Sequence, residues 1–514
     1  MTGRIRMAEN PRHRIPAALL AALAAVSLAG AVHAKDPAPA AKHIILFIAD
    51  GMQPENESAA GRYLAGKEDG LSFHAFPYRG WVATWDVNVY NRQAARAGAP
   101  PYSPSSIRPK LGCDAHPAGR DPVRGSGPRY TCRAAGGPQP GADSASTATA
   151  WATGHKTDTG NIAWLPGDPD GGALRTIAEL LRQKRGAAIG VVTTGPVSDA
   201  TPAAHVSHRK DRRDRHAIAD EILRSVQPEV VIGGGHPAHN GERFLSTALY
   251  EDARGGRLGP YLFVERMHGV DAGRALGEAS ARAAAQKKKL FGLFGGPGGN
   301  FEPPVPTGDG SAVVNRAAAE SPPLRDATLA ALNVLSRNRN GFFLLVEQSD
   351  VDWANHAGDY LWMIGAMWDL DEAVRAAVEF VDQAGDGVTW DNTLLIVTSD
   401  HATGSMRLDD ARRPGKGRLP AQAPGMCPDR MSWCPGYPGG EVGYGSTGHL
   451  NEPVSIYAMG DAGLTKHLRQ FEGAWYPCTP LIDNTHLFHA MTNAAGIPQP
   501  SALKAVVTRP TACP

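Results

Sequence analysis

Asp352 and His356 stand four residues apart. On one turn of helix such a pair shares a face and can grip a single ion. Asp400 and His401 are neighbours that close an apolar run, and His449 follows a Gly-Ser-Thr-Gly stretch. Mixed Asp/His donors suit zinc, whereas all-oxygen ligation by Asp, Glu and Thr suits magnesium. Each pair alone is weak, because an i,i+4 Asp/His pair is usually a surface contact and a loop histidine is usually nothing.

A second kind of chemistry sits at Ser144. The segment 143–154 (DSASTATAWATG) is rich in Ala and predicts a helix that opens at or just before Ser144 and stops at Gly154. A serine there is commonly only an N-cap. It can also be a nucleophile set where orphan N–H groups and the helix dipole favour an incoming phosphate.

These residues need elements to hold them. Short apolar runs at 44–49, 187–192, 230–232, 342–346, 394–397 and 454–457 read as buried strands. Helical patterns at 173–185, 216–225, 324–335 and 360–381 alternate with them. That alternation predicts an α/β fold, a large mostly parallel sheet with helices on both faces. Ligands of such sheets bind beyond the carboxyl ends of the strands. Four ends carry ligand chemistry here: Asp50, Glu347, Asp400-His401 and the segment 199–201. One acidic residue after a strand is usually a turn or a cap, but four on one sheet argue for a site.

The rest of the chain sets limits. With 52 Lys+Arg against 51 Asp+Glu, it offers no broad electrostatic footprint for nucleic acid or an anionic membrane. No internal repeat is visible, which removes solenoids and propellers. Residues 1–34 carry Arg4, Arg6, Arg12 and Arg14, then an apolar run closing on small residues, the layout of a secretory signal peptide. Cleavage near Ala34 would leave a mature chain, 35–514, with no stretch apolar enough to span a bilayer, exported to the periplasm or beyond. A length of 514 residues would suggest several domains, since one core usually stops growing near ~250–300 residues. Pro/Gly/Ser-rich stretches near 90–141, 292–320 and 412–440 read instead as insertions on a single domain. Six cysteines, at 113, 132, 427, 434, 478 and 513, form no CxxC and suit disulfides in an oxidising compartment. Neighbours in sequence are the preferred partners, although spacing fixes no connectivity.

Taken together, the motifs resemble the alkaline phosphatase family of the two-zinc, serine-nucleophile type. The resemblance rests on 45–52 (ILFIADGM), 142–157 (ADSASTATAWATGHKT), 199–205 (DATPAAH), 341–347 (GFFLLVE) with Asp352 and His356, 398–401 (TSDH) and 447–449 (TGH), in the family's order. It implies one zinc on Asp352, His356 and His449 and a second on Asp50, Asp400 and His401. It also implies one magnesium on Asp50, Thr201 and Glu347, with Asp199 acting directly or through water. Ser144 would attack phosphorus, an arginine would clamp the phosphate, and Asp143 would orient that guanidinium. Two ways of counting disagree on the arginine. The family's spacing from Thr201 lands on Arg212, while the local spacing from His205 lands on Arg209, and Arg209 is the preferred residue here. Arg212 falls in a charge run that reads as a solvated face. Trp353 stands where family members vary, beside the magnesium set.

The expected activity is therefore a phosphomonoesterase working on small-molecule phosphate monoesters through a phosphoserine, in a chain that by analogy forms a homodimer. A phosphodiesterase or sulfatase of the same superfamily is the second reading, disfavoured because the nucleophile position holds Ser144 in an Asp-Ser-Ala context. A non-catalytic phosphate or metal scavenger is the third, disfavoured because every matching position is filled.

Overall fold

Alternation along one strand explains the layering. In β1 (His43–Ala49), Ile44, Leu46 and Ile48 belong to one buried cluster, while Ile45, Phe47 and Ala49 belong to another. A strand apolar on both sides must have both faces covered, and helices cover both. The structure, a computed structural model, describes residues 40–105, 140–316, 318–383, 387–409, 411–427, 433–475 and 480–497. The leader prediction and Cys113, Cys132, Cys478 and Cys513 lie outside the described residues.

The remaining strands of the main sheet are β2 (Tyr78–Ala83), β3 (Ala188–Pro196), β4 (Val230–Gly234), β5 (Tyr261–Glu265), β6 (Lys289–Leu293), β7 (Phe342–Gln348), β8 (Thr393–Thr398), β9 (Val454–Met459) and β10 (Leu481–Asp483). Their order is β10-β2-β9-β8-β1-β7-β3-β4-β6-β5. Only β9 runs against its neighbours. The fold is thus the α/β architecture expected, a mostly parallel ten-stranded sheet between helical layers. Four of its strands escaped the sequence reading. β2 is broken by Arg79 and Gly80, β6 starts on a lysine, β5 is a half-exposed edge and β10 has three residues.

Among the helices, α1 (Ser144–Thr153), α2 (Ala200–Val206), α3 (Asp350–His356) and α4 (Tyr360–Asp382) matter to the site. All ten residues of α1 are buried, which small Ala, Ser and Thr side chains permit, and Gly154 ends it in a left-handed turn. The expected helix at 173–185 begins only at Ile177, where Thr176 and Glu179 form a capping box. A helix at Val87–Arg96, capped by Asp86, runs into the stretch read as an aperiodic insertion from 90. In the 412–440 stretch, strands Ala423–Met426 and Trp433–Gly436 pair as a hairpin closed by a Cys427–Cys434 disulfide. No helix among the described residues is long and apolar enough to cross a membrane.

Candidate active site

Four adjacent central strands, β8, β1, β7 and β3, deliver the site at their carboxyl ends. Asp50 follows β1, Glu347 is the next-to-last residue of β7, Asp400 lies two residues beyond β8, and Asp199 three beyond β3. Parallel register sets Glu347 beside both Ile48 and Thr193. Thr193 Oγ1 then donates to Glu347 Oε2 at 2.5 Å. Gly51 turns the chain after Asp50 with a φ of 74°, and a Cβ there would lie 2.6 Å from the Asp352 Cα. Glycine is what lets β1 and α3 bring their carboxylates together. Gly51 N–H and His401 N–H both donate to Asp400 Oδ1 at 2.9 Å.

Two groups of ligand atoms converge, each with all its atoms within 4.8 Å of one another. One is Asp352, His356 and His449, as expected. The other is Asp50, Asp352 and His401, so Asp352 joins both. Asp400 is not in the second tight group, yet its buried Oδ2 lies 3.0 Å from His401 Nε2 and has no hydrogen bond.

Each imidazole is held by its Nδ1. His356 Nδ1–H donates to the Thr447 carbonyl at 2.5 Å and His449 Nδ1–H to the Ala142 carbonyl at 2.9 Å. His401 Nδ1–H donates to Thr403 Oγ1 at 3.1 Å, and that hydroxyl donates to Asp352 Oδ1 at 2.6 Å. With Nδ1 occupied, every Nε2 turns inward. His356 Nε2 lies 3.1 Å from His449 Nε2 and 3.1 Å from Asp352 Oδ2. Burial and then the His401 charge hold His449 down to about 4. Burial opposes charge on His356 as well, but the Asp352 carboxylate overrides it and lifts His356 to about 9. The three side chains thus bring two imidazole nitrogens and a carboxylate oxygen to one point, a donor set that fits zinc.

The carboxylates tell the same story. Burial, then the charges of Asp400, Asp352 and Glu347, push the Asp50 carboxyl far above its ordinary range. Burial pushes Glu347 up to about 8 against the bond from Thr193, with Asp199 and Asp400 adding to the rise. Thr201 is buried against Glu347, whose rise its hydroxyl also opposes. An oxygen-only set of carboxylates and a hydroxyl, beside a nitrogen-bearing set, fits a hard cation next to zinc.

Ser144 opens α1 against this centre. Its hydroxyl donates to Asp50 Oδ2 at 3.4 Å and lies 3.3 Å from His401 Nε2. Asp143 caps the helix, taking Ser146 N–H at 3.0 Å and Gly160 N–H at 3.1 Å on Oδ1. The approach to Ser144 is tied to His449, since Gly141 N–H donates to the His449 carbonyl at 2.9 Å. A Cβ on Gly141 would lie 2.6 Å from the Leu450 backbone, so the two segments approach this closely only through glycine.

The arginine differs from the expectation. The Arg209 guanidinium turns away, donating to Glu221 Oε2 at 2.5 Å and to the Ala217 carbonyl at 3.0 Å. Arg212 instead reaches Asp143 Oδ2 and Asp199 Oδ1, both at 3.1 Å. The physical cause is local: Arg209 is fixed to Ile162 by two backbone hydrogen bonds, and the chain then turns so that Arg212 faces α1. Burial opposes the Asp143 charge, but Arg212 and the helix-end hydrogen bonds outweigh it and hold the carboxylate below its usual range. The pair of Asp199 and Asp143 likewise lifts Arg212 despite its burial. Arg212 is no member of a solvated face.

Several supporting groups carried no sequence signal. Thr403, Thr193 and the carbonyls of Ala142 and Thr447 act through geometry that neither spacing nor residue type announces. Asp86 also supports α1, its Oδ2 accepting from Ser146 Oγ at 3.0 Å and Thr159 Oγ1 at 2.7 Å. The Trp353 ring lies 3.8 Å from the Cβ position of Gly298, so the 292–320 stretch reaches the back of α3.

Comparison with known proteins decides the family. The alkaline phosphatase family model matches residues 138–419. The chain belongs to the alkaline phosphatase family. This alkaline phosphatase family member is 32% identical over 409 residues to the alkaline phosphatase of Escherichia coli, covering 73% of each chain. The match to the Escherichia fergusonii alkaline phosphatase is 33% over 306 residues and spans 60% of that relative's length. A streptomycin-6-phosphate phosphatase of Streptomyces griseus is 27% identical over 530 residues, covering 93% of this chain and 96% of the relative. The crystal structure of Thermus thermophilus alkaline phosphatase superposes with a TM-score of 0.57 at 21% identity, over 92% of this chain and 96% of that one. Membership places the chain among phosphatase enzymes, and the candidate metal-binding groups agree with a metal-dependent one.

Proposed function

We propose that this family member hydrolyses phosphate monoesters of small molecules through a phosphoserine formed on Ser144. The observation that carries the reading is the Ser144 hydroxyl, 3.3–3.4 Å from donors of a converging Asp/His cluster. Asp352, His356 and His449 would hold one zinc, and Asp50, His401 and Asp400, with Asp352 adjoining, a second. Asp50, Thr201 and Glu347, with Asp199, would hold magnesium. Bound there, the ions supply Lewis acidity that favours the serine alkoxide and offsets charge on the phosphoryl oxygens.

The chain's own residues do the remainder. Ser144 Oγ forms a bond to phosphorus as the ester oxygen leaves, and water then breaks the Ser144–phosphorus bond to release phosphate. The N-terminus of α1 presents N–H groups and a positive dipole end to the anion. Arg212, rather than Arg209, is the clamp: one N–H each goes to Asp143 and Asp199, and its other donors are left to grip phosphate oxygens. Asp143 keeps that fork in place while capping the helix that carries the nucleophile.

The Cys427–Cys434 disulfide supports an exported protein, because such bonds persist in oxidising compartments. The streptomycin-6-phosphate phosphatase, matched over nearly the whole chain, supports a small-molecule phosphate ester as substrate. The deciding experiment is steady-state kinetics on a monoester and a diester, before and after chelation, with zinc and magnesium added back. Monoester turnover that vanishes on chelation and returns with the metals is expected. Diester preference, or full activity without metal, would overturn the reading.

A further inference from the structure

The short helix α3 carries both Asp352 and His356, and its carboxyl end has only seven residues behind it. The turn from α3 into α4 runs through Ala357, Gly358 and Asp359. At such a junction the last carbonyls of one helix and the first N–H groups of the next lack helical partners. Asp359 satisfies two of the N–H groups, Leu361 at 3.0 Å and Trp362 at 3.1 Å. One phenol from a distant segment satisfies one further group of each kind. Tyr437 Oη donates to the Gly358 carbonyl at 2.7 Å and accepts the Tyr360 N–H at 2.8 Å. Its ring packs edge-on to Tyr360 and beside Tyr444, with centroids 6.5 and 6.2 Å apart.

Tyr437 follows directly on the strand Trp433–Gly436 of the disulfide-closed hairpin. The Cys434 side chain lies 3.6 Å from the Cβ position of Gly358, so staple and phenol meet the same buried turn. Ala423–Met426 is partly exposed, with Met426 59% exposed, whereas Cys427 and Cys434 are buried. An isolated two-stranded hairpin is marginal in water, which makes the staple the obvious source of its order.

From this corner the contacts lead straight into the site. Two residues before Gly358, His356 gives its Nδ1–H to the Thr447 carbonyl, two residues before His449. We infer that Tyr437 is a positioning residue for the Asp352/His356/His449 metal site, and that the Cys427–Cys434 hairpin is the clamp that keeps its phenol on the end of α3. The inference rests on the proposed reading of that site as a zinc site. A phenol that fixes the end of α3 fixes the direction of His356, and groups that orient a ligand typically govern metal affinity by 10–100-fold.

The test compares the full mature chain with Tyr437→Phe and with C427S/C434S. Each is stripped of metal, and zinc is titrated back against a competing chromogenic chelator while the melting temperature of the metal-free form is recorded. Tyr437→Phe is expected to weaken one zinc by about 10–100-fold, leave the other unchanged, and barely move the metal-free melting temperature. C427S/C434S is expected to weaken the same zinc. Unchanged zinc affinity in Tyr437→Phe overturns the inference, as does equal weakening of both zincs together with a lowered melting temperature, the mark of a purely structural role. A wild-type chain that takes up no zinc overturns the reading of the site itself, a result distinct from either.

Discussion

Arg209 and Ile162 form an isolated antiparallel bridge, each backbone N–H giving a 2.9 Å hydrogen bond to the other's carbonyl. Three residues on, Arg212 N–H donates to the Gly160 carbonyl at 2.8 Å. These backbone bonds, more than side-chain chemistry, decide which guanidinium reaches Asp143, the neighbour of Ser144.

Arg212→Ala should accordingly lower kcat/KM by roughly 10–100-fold, since a charge-assisted hydrogen bond contributes ~1.5–3 kcal/mol and a decade of rate costs ~1.36 kcal/mol. It should also weaken inhibition by inorganic phosphate. Arg209→Ala should leave both within about threefold and show its effect in thermal stability, through the lost contact with Glu221. Steady-state kinetics with phosphate as inhibitor reads both variants, and the reverse ranking would return the clamp to Arg209.

Ser144→Ala deletes the proposed nucleophile while every candidate metal ligand stays in the chain. Turnover should fall on the order of 10³-fold or more, as nucleophile deletions usually do. Acid quenching of the wild-type reaction should trap a phosphorylated peptide containing Ser144. A trapped peptide elsewhere in the chain would sink the assignment.

Thr403 links the two halves of the metal centre, accepting from His401 and donating to Asp352. Thr403→Val keeps the shape and removes both bonds. Zinc affinity should drop by about 10–100-fold, and chelation should then inactivate the variant at correspondingly lower chelator concentration. Calorimetric titration of the metal-free protein checks the affinity directly. In the wild type, added zinc should raise the melting temperature by mass action, worth about 4 kcal/mol at a thousandfold excess over Kd.

His208 lies between Glu221 Oε1 at 2.9 Å and Glu179 Oε2 at 3.5 Å, away from the metal centre. Burial works against its charge, but the hydrogen bonds and charges of the two glutamates win and lift it to about 9, from 6.5. A raised pKa means the folded state holds the proton more tightly. The stabilisation is therefore complete below about pH 6.5 and lost as pH rises through 9. His208→Gln should cost roughly 1.5–3 kcal/mol at pH 6 and much less at pH 10. Chemical denaturation at the two pH values measures it, and an equal cost at both would refute the charged pairing.

The centre of the sheet was legible because its strands are apolar on both sides, and Asp50, Glu347 and Asp400 stood out as candidates because they sit at strand ends. The edge strands were not, since β5 is half exposed and β10 too short for any pattern. Arg212 was obscured by its company. Asp211 and Arg213, both facing solvent as an ion pair, make the run look like a charged surface, while the residue between them turns inward. The links from Thr403 to Asp352 and from Tyr437 to Gly358 could not be found from spacing, because they span 51 and 79 residues.

The sheet order has a kinetic meaning. β8, β1, β7 and β3 are neighbours in space, yet Gly51 and Asp400, joined by a hydrogen bond, are separated by 349 positions. Closing such long loops is entropically uphill until the central strands pair, which makes this a topology of high contact order and slow assembly. No fragment shorter than the one from Asp50 to His449 contains the complete proposed donor set, so the pocket is unfinished until the segment around His449 is in place. If the donor set takes up metal as proposed, capture would come at the last stage of folding, where it would lock the native topology instead of selecting among partly built ones.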